Sequence, residues 1–540
     1  MSQSKQPTNS GALATLVIVF FFWGFIAASN SIFIPFCRTH FHLNQFQSQL
    51  IGSAFYGAYF IGSLILYLLS SLVGYDILNK IGYKKGIIYG LWISVAGALL
   101  IIPSANANSF AAILVSYFVV ALGFSLQQTA AQPFAIALGD PSTGSHRLNL
   151  AGGVNSLGTT LGPIIVSLFL FGTPSKGNAI ITVTNINNFW MIIAAVFAAV
   201  ALFFTFSKLP DGKDDAKFEA SSKASASLII MTGLIILIII VGQLTNIGKL
   251  PLTAVTLLVA VGILFVSYNN ASKNSAGWGA MKYQQLILGM LGIFLYVGVE
   301  VTIDNNFGAL LKTPGYITDA GLLDNQISKY ISLYWGSLMI GRWTGAIGVF
   351  NLSKTGRIIA TIVVPYVAFS IILFINHLYG NDITDLLPYA GCVAVAIIAF
   401  FYGQQKPVKT LLTLALLATF AMIFGVATKG IVSVYAFMSG GLCCSIMWPC
   451  IFSLGVAGLG KYTSQGSAFL IMMILGGAVI PPLQGSIGDT APIGNAPNNM
   501  HVSYLVAACC FFALAMLAIR LRAVLKAQGL NFDEQIGGGH

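Results

Sequence analysis

The chain has 540 residues, of which 56% are hydrophobic and 8% charged, and its mean hydropathy is +0.84. A soluble domain carries about 25% charged residues, so this composition excludes an ordinary soluble enzyme or binding module and places the chain in a bilayer. The net charge of +11 comes without any run of five or more Lys/Arg, which removes the basic patch a nucleic-acid partner needs.

A membrane-spanning helix needs about 20 apolar residues. In chain order such runs lie near 13–37, 48–74, 86–103, 109–138, 148–172, 188–207, 227–244, 251–268, 283–311, 327–349, 357–376, 387–403, 408–427, 431–455, 464–487 and 502–525, about sixteen in all. The first is too long for a cleavable leader, and the terminal Gly-Gly-Gly-His reads as an appended scar within a 527–540 tail. An even count returns both termini to one side. With the N-terminus in the cytoplasm, nineteen Lys and Arg fall in cytoplasmic segments and six outside. That bias predicts a multi-pass plasma (inner) membrane protein with both termini cytoplasmic, and it accounts for the basic balance. The remaining cation, Arg342, lies inside a span. The seven cysteines form no CxxC and are odd in number, so they read as small buried hydrophobes rather than disulfides or zinc ligands.

Between the second and third spans stands GYDILNKIGYKKG (74–86). Its glycines permit a tight turn, and its cations suit an anionic leaflet. Its shape resembles the signature loop of the major facilitator superfamily. A degraded copy, NLSKTGR (351–357), follows 274 residues after the first. Two stretches, Pro133 to Gly139 and Pro449 to Gly455, share P-x4-L-G at an offset of 316. The two offsets differ by 42 residues, about two spans with their turns. The expected fold is therefore all-α and polytopic: a major facilitator fold of 6+6 helices in two pseudo-symmetric halves, with two extra hairpins. The boundaries are 1–207 for the first half, 208–282 for a linker carrying the hairpin 227–268, and 283–526 for the second half carrying the hairpin 387–427. Parallel repeats of this kind characterise major facilitator transporters.

Six stretches resemble the fucose–galactose–glucose–cation symporters of that superfamily, in the glucose/galactose branch. They are GSAFYGAYFIGS (52–63), NKIGYKKG (79–86), RLNLAGGVNSLGTT (147–160), FLYVGVEVTI (294–303), YWGSLMIGRWTGA (334–346) and SIMWPCIFSLGVAGLGKYTSQGS (445–467). The resemblance implies a sugar carrier coupled to a cation. Two departures bear on coupling. Where the family has an Asp in the first span, this chain has Ser31, in Asn30-Ser31-Ile32-Phe33-Ile34-Pro35. Where the fucose branch has a Glu in the fourth span, this chain has Gln128. Neither residue can ionise.

Of the fifteen carboxylates, Glu300 and Asp304 are the pair well inside a span. Their i, i+4 spacing puts them on one helix face, with Tyr296 one turn earlier. Arg342, in the next span, is the natural partner, because an unpaired charge in lipid is costly. A structural ion pair would account for one acid. The other must then be protonated or hold a cation. Ser31, with Asn30 and nearby backbone, offers neutral oxygens for sodium, which favours sodium over protons.

A sugar site needs amides and aromatic platforms. Candidates are Asn30, Gln127, Gln128, Gln132, Asn149, Asn155, Asn305 and Asn306, with Trp335 and Trp448, and also Trp23 and Tyr334, as stacking surfaces. Taken singly, each amide serves equally well as interhelical glue. The chain has no G-x-x-x-x-G-K-[ST] and no H-E-x-x-H, which argues against an ATP-driven pump and a metalloprotease. The expectation is a secondary transporter importing a neutral hexose with sodium or a proton, using no cofactor. The alternatives are a proton-coupled drug exporter of the same fold, a membrane enzyme acting on lipid-linked sugars, and a non-transporting sugar sensor.

Overall fold

The computed structural model describes residues 8–43, 45–140, 143–171, 182–211, 221–245, 247–350, 352–403, 406–490 and 499–530. The helices run in order α1 (Ser10–His40), α2 (Gln45–Val73), α3 (Ile77–Ile81), α4 (Tyr83–Asn106), α5 (Phe110–Ala137), α6 (Gly144–Phe171), α7 (Val183–Phe206), α8 (Ser222–Leu244), α9 (Lys249–Lys273) and α10 (Gln284–Leu311). They continue as α11 (Asp324–Ala346), α12 (Lys354–Leu378), α13 (Ala390–Gly403), α14 (Pro407–Ala427), α15 (Gly430–Cys444), α16 (Met447–Val456), α17 (Thr463–Met472), α18 (Gly476–Gly488), α19 (Met500–Ser503) and α20 (Leu505–Ala527). Thirteen helical stretches among the described residues are long and apolar enough to cross a membrane. The protein is a multi-pass helical membrane protein. Its helices form two compact units, residues 1–219 with 463–472, and residues 220–462 with 473–540.

In the first unit α1 lies along α6, α2 along α5, and α4 along both α5 and α7. Apolar burial does not drive helices together in lipid, so small residues that permit close backbone approach decide the contacts. A Cβ on Gly24 would sit 1.9 Å from the Asn155 carbonyl oxygen, and one on Gly158 would sit 2.1 Å from that of Phe21. In the 74–86 loop, Asp76 caps α3 by accepting the Asn79 N–H at 3.0 Å, and it also accepts the Ser464 hydroxyl of α17 at 3.0 Å. Gly82, at φ +88°, turns the chain into α4. The sequence assigned the loop cations to the leaflet. Lys84 donates to the Thr205 and Ser207 carbonyls, at 3.2 and 2.8 Å, and so caps the end of α7.

Arg147, one of the cations that the sequence places on the cytoplasmic side, is likewise used inside the protein. It was counted among the loop cations but is 1% exposed. Its guanidinium donates to the carbonyls of Ala135 (2.8 Å), Ile136 (2.5 Å) and Asp140 (2.8 Å), and to the Thr143 hydroxyl (2.8 Å). These carbonyls lie at and beyond the end of α5, where helix groups lack internal partners. Arg147→Ala is expected to leave several of them unpaired, at about 1–3 kcal/mol each. Thermal unfolding in detergent should show a loss of several degrees, which Arg147→Lys restores only in part because it lacks the fork.

In the second unit, α10 is 94% buried over its apolar window, against 17% for α8 and α9. α8 pairs with α9, and α9 leans on α18. In the first unit α4 has α5 and α7 as neighbours; here the helix with the corresponding neighbours is α14, which lies along α20, α15 and α16. α12 packs on α11 and touches α13. This packing supports α12 with α13 as the added pair, in place of 387–427. α14 starts 324 residues after α4 does, close to the P-x4-L-G offset. Cations at a helix start, such as Lys354 and Arg357 of α12, report sidedness rather than repeat position.

The turn before α13 is pinned by Asp385. Its carboxylate accepts Lys329 at 2.7 Å and the Tyr330 hydroxyl, and its carbonyl accepts the Tyr435 hydroxyl at 2.5 Å. α15 and α16 are separated at Ser445–Ile446, because Pro449 has no N–H to donate four residues back. α18 approaches α10 so closely that a Cβ on Gly476 would lie 1.8 Å from the Phe294 carbonyl oxygen.

Candidate functional site

The sequence-expected acids lie on α10, the most buried of the candidate spans. Glu300 Oε1 accepts the Tyr296 hydroxyl at 2.7 Å and faces Arg342 Nη2, on α11, at 3.5 Å. The side chains of Arg342 and Glu300 are 15% and 12% exposed. The Tyr334 hydroxyl donates to the Glu300 backbone carbonyl at 2.7 Å, tying α11 to α10 a second time. Asp304, one turn on, has Trp335 as its hydrogen-bonding neighbour. Its Oδ1 is buried with no hydrogen-bond partner among the described residues. Trp448, on α16, packs over Tyr296 with ring centroids 6.0 Å apart, and over Phe452 at 6.1 Å. Of the expected trio, Glu300 and Arg342 are therefore brought together, with Asp304 one turn along α10 and Tyr296, Tyr334 and Trp335 around them.

The amides divide into several groups. Gln127 is fully buried; its oxygen accepts Trp23 Nε1 at 2.7 Å and its nitrogen donates to Ser94 at 3.1 Å. Asn306 is buried and donates to the Thr302 carbonyl at 3.0 Å and toward the Pro481 carbonyl at 3.5 Å. Asn155 donates to the Phe20 carbonyl at 3.0 Å. All three connect helices. Gln128 is half-buried and donates to the Tyr59 hydroxyl at 2.9 Å. Gln132 and Asn149 are buried, and Asn149 Oδ1 has no partner among the described residues. Asn305 is exposed. Asn30 and Ser31 are on α1, but their side chains lie outside the described residues.

The sequence reading overlooked Gln484 on α18. It is 0% exposed, its oxygen accepts the Thr302 hydroxyl at 3.0 Å, and its Nε2 has no partner among the described residues. A glutamine two residues after Pro481-Pro482 inside a long apolar run was the available signal. No group of three or more His, Cys, Asp or Glu able to hold a metal occurs among the described residues. The arrangement can exchange a guanidinium for a proton or another cation at a carboxylate, and it can present an acceptor oxygen to a neutral donor.

The fold is shared with solved transporters of the major facilitator superfamily. The Escherichia coli fucose:proton symporter, a solved structure, matches at a TM-score of 0.62 and 23% identity, over 94% of this chain and 98% of that one. The chain is also homologous along nearly its whole length to curated sugar transporters, which bears out the resemblance carried by its motifs. It is 28% identical over 516 residues to a glucose/galactose transporter of Brucella abortus, covering 96% of this chain and 95% of that protein. It is 27% identical over 526 residues to the L-fucose-proton symporter of Escherichia coli, covering 94% and 92%. No protein-family model matches the chain.

Proposed function

We propose that this protein is a secondary transporter that imports a neutral hexose by cation symport, with Glu300 or Asp304 as coupling carboxylate and Arg342 as its regulator. The observation that carries this reading is the trio itself: two acids one turn apart on a buried helix, one of them facing a single guanidinium. Such intramembrane charges mark ion and substrate pathways. The names of the relatives support a hexose as the substrate. A proton is the coupling ion that the two acids support best, and the name of the fucose relative agrees with it. Sodium at oxygens that include Ser31 is the competing arrangement. The charge bias of the loops supports cytoplasmic termini and a plasma-membrane location.

The test is accumulation of radiolabelled hexose in proteoliposomes, with a proton gradient and with a sodium gradient. The double variant Glu300→Gln, Asp304→Asn is expected to bring accumulation to the passive level. Full accumulation in that variant would end the coupling proposal. Uptake driven by sodium alone would move the ion site to neutral oxygens.

A further inference from the structure

The two acids do not share the same surroundings. Glu300 faces a cation and accepts a hydroxyl, Arg342 at 3.5 Å and Tyr296 at 2.7 Å. Asp304 pairs with no cation among the described residues, and its Oδ1 is buried and unbonded. Its neighbour Trp335 is half-buried, with one ring edge toward Tyr334 at a centroid distance of 5.7 Å. An acceptor oxygen without an internal donor, beside an indole, has the chemistry of a pyranose subsite: a hydroxyl donates to the oxygen and the apolar ring face lies on the aromatic. The same oxygen repels an anion, so a sugar phosphate or sugar acid is disfavoured.

Resting on the carrier reading above, we propose that the acids divide the work. Asp304, with Trp335, binds a hydroxyl of an uncharged sugar ring. Glu300, paired with the Arg342 charge and hydrogen-bonded by Tyr296, carries the coupling. Asp304 is then a specificity-determining residue for neutral against anionic sugars, and Glu300 sets the accumulation ratio without contacting sugar.

The experiment measures three quantities on purified, reconstituted protein: binding of radiolabelled glucose, galactose and fucose, counterflow, and gradient-driven accumulation. Asp304→Asn should weaken binding about 10- to 100-fold, the weight of a hydrogen bond to a charged group. Trp335→Ala should weaken it about tenfold, and Trp335→Phe by much less. Glu300→Gln should abolish accumulation while sugar affinity changes less than about threefold, the size of a change that breaks no direct hydrogen bond. Thermal unfolding of each variant identifies misfolding, and Glu300→Gln with Arg342→Gln removes the stranded cation. Wild-type affinity in Asp304→Asn, or loss of affinity in Glu300→Gln alone, overturns the division while leaving the carrier reading standing. A wild-type protein that neither binds nor exchanges any of the three sugars overturns both.

Discussion

Arg342→Gln is expected to abolish gradient-driven accumulation and to destabilise the protein. The guanidinium faces Glu300 at 3.5 Å, and the two side chains are only 15% and 12% exposed. Removing one partner of a buried pair strands the other charge, at about 3–5 kcal/mol. At 3.5 Å the pair is longer than a tight charged hydrogen bond, and Tyr296 still donates to Glu300 at 2.7 Å. The lower end of that range is therefore expected. Arg342→Lys keeps the charge but not the planar geometry, so it should fall between wild type and Gln. Adding Glu300→Gln to Arg342→Gln should recover most of the stability but none of the coupling, because the cost comes from the stranded carboxylate. A double-mutant cycle on thermal unfolding and on accumulation separates the two effects. Additive losses of stability would show that the two groups do not interact.

Gly476→Val should have the largest structural effect. A Cβ at this position would stand 1.8 Å from the Phe294 carbonyl oxygen, a backbone atom of α10 that cannot rotate away. The two helices must separate. Overpacking typically costs about 1–3 kcal/mol, and more when backbone has to move. α10 carries Glu300 and Asp304, so the shift also disturbs the acids relative to α11. Size-exclusion profiles and thermal unfolding in detergent should show heterogeneous, poorly folded protein, with Gly476→Ala intermediate. Gly233, on the peripheral α8, has nothing within 4 Å of its added Cβ. Gly233→Ala should be neutral, or stabilising by up to about 1 kcal/mol. Equal behaviour of the two alanine variants would refute the close crossing.

The outline of the fold was legible because a bilayer leaves few options: long apolar runs must become helices. Glu300 and Arg342 were legible for the same reason, since charges in such runs stand out and must find each other. Three things were not legible. Amide function depends on what each side chain meets, and nothing in the sequence separates Gln127, bonded at both ends between Trp23 and Ser94, from a ligand contact. A basic segment does not by itself place the added pair, because α12 begins with cations as a repeat helix would, and its packing on α11 is the further information. Arg147 reads as a surface cation, yet its guanidinium makes four hydrogen bonds, to three carbonyls and one hydroxyl. In each case helix-to-helix contact, not local sequence, decides the role.

The central proposal is that a carboxylate of α10 couples a cation gradient to hexose movement. The direct measurement is accumulation of labelled glucose, galactose and fucose in proteoliposomes under an imposed proton or sodium gradient, with an ionophore control. At least one hexose is expected to rise above its external concentration and to fall back when the gradient is collapsed. Equal uptake with and without a gradient, for every sugar, would contradict it.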